Sequence, residues 1–177
     1  MTTDLRYPIG RFALEGEMSE ERRAGWIAEI AEAPAQLRSA LHGLTDEQCE
    51  TPYRPGGWTI RQVVHHLPDS HLNAYTRFKL ALTDENPVIR PYEEARWAEL
   101  PDTAMTPLGV SLMLLEALHR RWVVLLKAMT DRDWRREFYH PDQEKSVRLD
   151  RALATYAWHG KHHVMQIVTT RERMGWR

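Results

Sequence analysis

Apolar residues recur at helical spacing in four long segments of the chain, and proline-rich connections separate these segments. The first segment begins near Ser19, which can cap a helix, and continues with Glu20 and Glu21, where the helix dipole favours acids. It ends around Gly43, and Pro34 within it predicts a kink. The apolar stripe of this predicted helix consists of Trp26, Ile27, Ile30, Leu37 and Leu41.

The second segment begins with a capping box, because Thr59 is followed three residues later by Gln62. It runs to about Leu82. Pro68 lies inside the segment and removes one backbone donor, so we expect a bend in the helix at that point.

The third and fourth segments carry their own end signals. Thr106 is the predicted N-cap of the third helix, with Pro107 in its first turn, where the missing N–H costs nothing. The fourth helix is predicted from about Asp150 to Met174, followed by Gly175, and basic residues in its last turn complement the dipole. The apolar face of the third helix consists of Leu108, Leu112, Leu115, Trp122, Leu126 and Met129.

Four helices of about 25 residues, with no convincing run of strands, predict an all-α fold and a single four-helix bundle over residues 1–177. Long connections follow the second and third helices. Residues 84–105 contain three prolines, and connections of this length are often functional. A short helix is predicted around residues 93–100, and a small hairpin within residues 130–149.

The composition is that of an ordinary globular protein, with 42% hydrophobic and 28% charged residues. The formal net charge of −1 gives no drive toward nucleic acid or an anionic membrane. Cys49 is the single cysteine, so no intrachain disulfide can form and a cytoplasmic location is expected. The first residues lack the apolar stretch of a signal peptide, and no run approaches a membrane span.

Nine histidines are unusual for this length, and three lie within five residues of the fourth helix. Residues four apart on a helix differ by about 40°, so His159 and His163 share one face, flanked by Tyr156 and Gln166. His162 points away from that face. Two imidazoles one turn apart are a common arrangement for binding a divalent metal, although a tight site needs a third ligand.

The second helix offers that third ligand in His66, which belongs to a polar strip with Gln62, Asp69 and Asn73. His65 and His71 lie off this strip. Imidazoles that reach inward from two neighbouring helices can meet one ion at about 2.0–2.1 Å. Three neutral nitrogens leave coordination positions open, which is typical of catalytic sites. The alternative is that these histidines are hydrogen-bonded packing residues.

His42, His119 and His140 are expected at the surface or hydrogen-bonded. Gly160 lies between the two candidate ligands of the fourth helix and costs about 1 kcal/mol of helix propensity relative to alanine. Either a neighbouring backbone or ligand approaches closely at this position, or the glycine is merely tolerated.

Four segments together resemble the YfiT branch of the DinB/YfiT family, and the resemblance extends over nearly the whole chain. It implies a four-helix bundle, often a homodimer, with one zinc or nickel ion bound by His66, His159 and His163. It also implies a metal-dependent hydrolase, while related members are thiol S-transferases that use bacillithiol or mycothiol. The segments are TPYRPGGWTIRQVVHHLPDSH, IRPYEEARWAEL, FYHPD and YAWHGKHHVMQI.

One departure from the family pattern is Pro68, which stands where a small helix-forming residue is usual. Because Pro68 lies two residues after His66 and cannot bond the Val64 carbonyl, it could tilt the His66 ring.

A hydrolase needs a general base within hydrogen-bond reach of the reacting water. Asp69 is a candidate base or a partner of a ligand, unless it forms a surface salt bridge. Glu116 is the one acid in an apolar stretch of the third helix, and it either faces the site or pairs with Arg120. The fourth helix has no acid placed as in the zincin motif.

Thiol transfer needs no protein base, because the metal holds the thiolate of the cosubstrate deprotonated. Arg54, Arg61 and Arg90 are candidates for binding an anionic thiol such as bacillithiol, unless they are solvated surface residues. The apparent lack of a base favours transfer mildly, whereas the family label favours hydrolysis. A third possibility is a non-catalytic metal-binding stress protein. In each case metal retention should weaken below about pH 6, since ligating imidazoles must be neutral.

Overall fold

The computed structural model describes residues 4–176, and its architecture is that of a four-helix bundle. The helices are α1 (Glu20–Leu41), α2 (Asp46–Cys49), α3 (Ile60–Thr83), α4 (Glu94–Trp97), α5 (Pro101–Met105), α6 (Leu108–Ala128), α7 (Asp131–Trp134) and α8 (Leu149–Met174). A hairpin of β1 (Glu137–His140) and β2 (Lys145–Arg148), joined by a short 3₁₀ turn, precedes α8. The predicted all-α bundle is confirmed, with α1, α3, α6 and α8 as its long helices.

Most of the predicted helix ends are confirmed by hydrogen bonds. The Ser19 hydroxyl accepts from the Arg22 amide, and Thr59 and Gln62 form the predicted capping box at the start of α3. Gly175 ends α8 in the left-handed conformation, with φ at 69°. The long helices α1 and α3 continue through Pro34 and Pro68.

The predicted start of the third long helix is wrong by one residue. Helix α6 begins at Leu108, Pro107 stands in the cap position with an extended ψ of 138°, and no side chain caps the helix. Thr106 instead ends α5, because its amide donates to the Asp102 carbonyl at 2.9 Å. A second short helix therefore occupies the connection, in addition to the one predicted around residues 93–100.

Two apolar clusters, at opposite ends of the bundle, make up the core, and each long helix contributes to both. Burial of these side chains supplies the main driving force for folding. The first core cluster includes Ile30, Phe78, Trp122, Leu126 and Leu153. The second core cluster includes Leu37, Ile60, Leu67, Leu115 and Ile167.

The direction of each long helix follows from the order in which it meets the two clusters. Helices α1 and α8 pass from the first cluster to the second, whereas α3 and α6 pass from the second to the first. Because α1 packs on α8 and α3 packs on α6, two neighbouring pairs are parallel. A parallel pair needs a connection that returns along the bundle, over about 36 Å for a helix of this length. Residues 84–107 make that return.

This returning connection is fixed at both ends by hydrogen bonds. The Ile89 amide donates to the Tyr139 carbonyl at 3.0 Å, and the Tyr139 amide donates to the Pro87 carbonyl at 2.9 Å. Further along, the Gln62 side-chain amide donates to the Ala98 carbonyl at 3.1 Å. The connection thus lies against the hairpin and α3. Within residues 4–176, no helix is long and apolar enough to cross a membrane.

At Gly160, helix α8 lies close to both α1 and α3. A Cβ atom at this position would lie 3.4 Å from the Ala33 Cβ of α1 and 3.6 Å from Cε1 of His71. A methyl group would therefore touch both neighbours, and a larger side chain would overlap them. The sequence left two explanations for Gly160: close approach of a neighbouring group, or a glycine that is merely tolerated. The short distances to Ala33 and His71 support close approach.

We expect Gly160→Val to destabilise the protein by about 1–3 kcal/mol, because its γ-methyl groups overpack the contact with Ala33 and His71. Gly25 is the matched control, since it is exposed on α1 and a Cβ atom at this position would have no neighbour within 4 Å. Gly25→Val should stay within about 0.5 kcal/mol of the wild type. Urea unfolding of both variants measures the difference, and equal effects would show that Gly160 has no packing role.

Candidate metal centre

A layer of histidines separates the two apolar clusters of the core. His66 and His71 come from α3, His119 from α6, and His159 and His163 from α8. Along these helices, His71, His119, His159 and His163 lie between residues of the first core cluster and residues of the second, and His66 directly precedes Leu67, the last α3 residue of the second cluster. Imidazoles at such positions must find hydrogen-bond partners or a metal, because an unpaired buried polar group is costly.

His66, His159 and His163 bring their ring nitrogens together at one point. One ligand atom from each lies within 4.8 Å of the other two, and the Nε2 atoms of His66 and His159 are 3.2 Å apart. Two nitrogens that share one tetrahedral ion at about 2.0–2.1 Å are themselves separated by about 3.3 Å. The geometry and the donor type therefore fit a divalent metal, which these three residues could hold.

Gln166 orients His163 toward this point. Its amide nitrogen donates to the Arg6 carbonyl at 3.2 Å, which fixes the orientation of the side-chain amide, since a carbonyl only accepts. The amide oxygen then accepts from Nδ1 of His163 at 2.8 Å. With the proton on Nδ1, the lone pair of His163 is on Nε2. The amide nitrogen of Gln166 also donates to Nε2 of His162 at 3.0 Å.

His159 is held from the opposite side by two further histidines. Its Nδ1 lies 3.1 Å from Nε2 of His71, and Nδ1 of His71 lies 2.8 Å from Nε2 of His119. His119 ends this series, because its Nδ1 donates to the Ile30 carbonyl at 2.6 Å. Three helices and the α1 backbone therefore meet in one row of hydrogen bonds.

A cavity of about 320 Å³ opens on the three imidazoles. The loop before α3 forms one wall of this cavity. The Tyr53 amide donates to the Trp58 carbonyl at 3.0 Å, which closes the loop. The Trp58 ring packs 4.8 Å from that of His66. The other lining residues that the structure describes include Arg6, Tyr7, Arg54, Glu94, Trp158, His162 and Gln166.

Burial keeps the converging imidazoles neutral. It lowers the pKa of His66 to about 4, and burial together with neighbouring imidazoles lowers the pKa of His159 and of His163 well below 6.5. Neutral imidazole is the form that binds metals, so the site is ready for a metal at physiological pH. Protons should therefore compete with a bound metal at a lower pH than the value of about 6 expected from the sequence.

The two acids selected from the sequence lie away from this cavity. Asp69 faces Asp102 of α5, and burial, with the Asp102 charge, raises the Asp69 pKa to about 6. Glu116 is on the outer face of α6, where it forms ion pairs with Arg38 at 3.1 Å and with Arg120 at 3.9 Å. The ion pair that the sequence offered as the alternative for Glu116 is present.

The three arginines considered for a thiol cosubstrate have different surroundings. Arg54 lines the cavity and donates to the Tyr53 hydroxyl at 3.1 Å. Arg61 is bound by Glu50 of the α2 end and lies 3.7 Å from Asp46. Arg90 is exposed in the returning connection. Of these three, the structure brings Arg54 to the site.

Sequence reasoning missed several residues of the cavity. Arg6 and Tyr7 lie in an N-terminal segment without periodicity, and Glu94 lies in the long connection whose length alone hinted at function. Trp58 directly precedes the capping box of α3, which could have drawn attention to it. His119 is hydrogen-bonded, as expected, but its connection to the site through His71 had no sequence signal.

The chain is thus a four-helix bundle with a buried histidine cluster that opens on a cavity and could hold one divalent metal ion. The chain belongs to the DinB superfamily, whose family model matches residues 29–167. The expected family is thereby confirmed.

Proteins similar to this chain match it over nearly their full length. A protein of Bacillus subtilis (strain 168) named "Putative metal-dependent hydrolase YfiT" is 49% identical over 175 residues, 99% of this chain and 98% of the relative. A relative from Bacillus cereus (strain AH820) with the same description is 51% identical over 98% of this chain and 99% of its own. The solved structure of YfiT from Bacillus subtilis, described as an unusual four-helix bundle, matches with a TM-score of 0.96 and 49% identity over 98% of this chain and 99% of its own.

The buried histidines should make folding stability depend on pH. Burial lowers the pKa of His119 to about 4, against the opposing effect of its hydrogen bond to Ile30, from 6.5 in an unfolded chain. Between these values the unfolded state binds the extra proton, so stability falls as the pH drops from about 6.5 to about 4. Each such histidine contributes a slope of about 1.4 kcal/mol per pH unit.

We therefore expect His119→Gln to reduce that slope by about 1.4 kcal/mol per pH unit between roughly pH 6 and pH 4.5. Glutamine can keep both hydrogen bonds but does not titrate. Urea unfolding in the presence of a chelator, at several pH values, gives the two slopes. Identical slopes would mean that His119 is not kept neutral in the folded protein.

Proposed function

We propose that this protein is a metal-dependent enzyme that binds one divalent ion through His66, His159 and His163. The convergence of three buried, neutral imidazoles beside an open cavity carries the proposal. Imidazole ligands suit zinc and nickel, among other transition metals, and we propose one of these two as the native ion. Three protein ligands leave room for a substrate, which is the catalytic pattern.

The site itself is tested by metal content. His66→Ala, His159→Ala and His163→Ala should each lower the bound metal at least tenfold, because two imidazoles are too few for tight binding. His162→Ala should retain it, since His162 points to Gln166, and His65→Ala is a second control because His65 bonds Ser111 at 2.7 Å. Elemental analysis of untagged protein, purified without imidazole, measures this. Equal loss in all five variants would argue against the assignment.

Hydrolysis is the reaction that we propose. A divalent ion supplies a Lewis acid that polarises a carbonyl group and lowers the pKa of water. Of the residues described as lining the cavity, Glu94 carries the one carboxylate, so we assign it the role of general base. Trp158 and His162 also line the cavity, and each has a buried ring nitrogen without a partner among the described residues.

Thiol S-transfer, for instance with bacillithiol, is the second candidate. One observation favours it: Arg6 and Arg54 line a cavity that, among the described residues, has a single, exposed acid. Two guanidinium groups suit the carboxylates of an anionic thiol. A metal-binding protein without turnover is less consistent with a ligand set that leaves the ion open on one side.

Glu94→Gln separates the two reactions. If Glu94 is the base, the variant should lose about 100-fold or more in the rate of ester or amide hydrolysis while keeping its metal. Asp69→Asn is the matched control, because Asp69 faces α5 and should leave the rate unchanged. Metal-verified protein is assayed against an ester and amide panel, and against an electrophile with bacillithiol. Thiol-dependent turnover that survives Glu94→Gln would favour transfer.

Homodimerisation, which the family resemblance implies, is also proposed. Light scattering of the purified protein after size exclusion distinguishes a dimer from a monomer of 20.8 kDa.

A further inference from the structure

The histidines behind His159 form a directed row of hydrogen bonds that ends on a backbone carbonyl. We propose that His71 and His119 are positioning residues: they hold the proton of His159 on Nδ1 and so direct its Nε2 lone pair to the metal. The inference extends the proposed function, because it assigns outer partners to one of the proposed ligands. It concerns two residues that do not line the cavity.

The direction of the row follows from its last acceptor. The Ile30 carbonyl can only accept, so Nδ1 of His119 carries a proton. In a neutral imidazole the other nitrogen is then an acceptor, so Nε2 of His119 accepts from Nδ1 of His71. By the same rule, Nε2 of His71 accepts from Nδ1 of His159.

His159 is thereby left with its lone pair on Nε2, which is the atom 3.2 Å from Nε2 of His66. One carbonyl on α1 therefore sets the proton position of three rings in turn. In free histidine the proton is mostly on Nε2, so the row imposes the less common form on each ring. That form is the one a ligand needs if it binds a metal through Nε2.

Because His71 and His119 are buried, the proton positions in this row are fixed by the protein and not by water. His71 has an exposed fraction of 0% and His119 of 1%, so water cannot replace a missing partner for either ring. His71 and His119 also stack, with ring centroids 4.9 Å apart. Apolar side chains at these positions would fill the same space without the cost of burying polar rings. The two imidazoles are therefore better explained by the orientation that they impose on His159 than by packing.

Another histidine of α3 provides a matched control. His65 is buried, with 6% exposure, and Nδ1 bonds the Ser111 hydroxyl at 2.7 Å. A hydroxyl both donates and accepts, so it does not fix which nitrogen of His65 carries the proton. His65 is thus a buried, hydrogen-bonded imidazole that is not part of the row.

The first test reads the proton positions directly. Long-range ¹H–¹⁵N correlation spectra of the full-length, metal-free protein with ¹⁵N-labelled histidine rings distinguish a proton on Nδ1 from one on Nε2. We expect Nδ1 protonation for His71, His119 and His159, with assignments from the corresponding variants. In His119→Leu, the His71 ring should lose its fixed form and populate both. A wild-type His71 with its proton on Nε2 would overturn the proposal, even if every variant folds poorly.

The second test measures the zinc dissociation constant by competition with a chelating dye. Loss of a ligand's hydrogen-bond partner typically weakens metal binding 10–100-fold, so His71→Leu and His119→Leu should fall in about that range. His119→Gln can accept from His71 and donate to Ile30, so it should bind zinc within about threefold of the wild type. His65→Leu should also match the wild type, although it too loses a buried imidazole.

The outcomes separate this inference from the proposed function. If His119→Leu binds zinc as tightly as His65→Leu does, the row does not position His159. Weak binding by His119→Leu that His119→Gln restores supports positioning, because a general loss of packing would not be repaired by an amide. If the wild type binds neither zinc nor nickel, the proposed metal site fails, and the ring-nitrogen spectrum alone then decides whether the row exists.

Discussion

The need to satisfy buried imidazoles governs this structure. A bundle core is apolar, and a polar ring left without a partner there costs about 1–3 kcal/mol. In this protein two rows of hydrogen bonds supply many of the partners, one ending on the Ile30 carbonyl and the other on the Arg6 carbonyl. Since carbonyls cannot donate, both rows are directed, and both leave a lone pair on Nε2 of an α8 histidine. The hydrogen bonds that stabilise these buried rings therefore also orient two nitrogen lone pairs toward the candidate metal site.

The bundle topology determines what surrounds this site. Because α3 and α6 are parallel, the connection between them must return along the bundle, and it brings Glu94 to the edge of the cavity. The N-terminal segment covers another edge, where the Tyr7 ring lies 5.7 Å from that of His162. The candidate metal ligands therefore come from the long helices, whereas the residues proposed for substrate binding come partly from connections. Such a division allows connections to change in chemistry while the helical framework of a site stays the same.

Helical periodicity accounts for what could be predicted from the sequence. A spacing of four residues places His159 and His163 on one face, and the polar strip of α3 selects His66, so the converging trio could be named in advance. His71 lies about 140° from His66 on the helix, which excludes it from that strip. The angle is correct, but the His71 ring, which stacks on His119 of α6, still contacts the Nδ1 atom of His159. Arg6 and Glu94 lie in non-periodic segments, whose positions depend on long-range contacts. The start of α6 differs from the prediction because Thr106 already ends another helix.

The parallel pairing of α1 and α8 has a consequence for how the protein is made. Both helices that pack on α1 belong to the second half of the chain, so during translation α1 emerges long before any surface that can cover it. A nascent chain that stops before α8 would expose the part of the apolar face of α1 that α8 covers, and it would lack the His159 and His163 rings. Apolar surface that is exposed in this way makes an incomplete chain prone to aggregation. Folding is therefore completed only when the last helix leaves the ribosome.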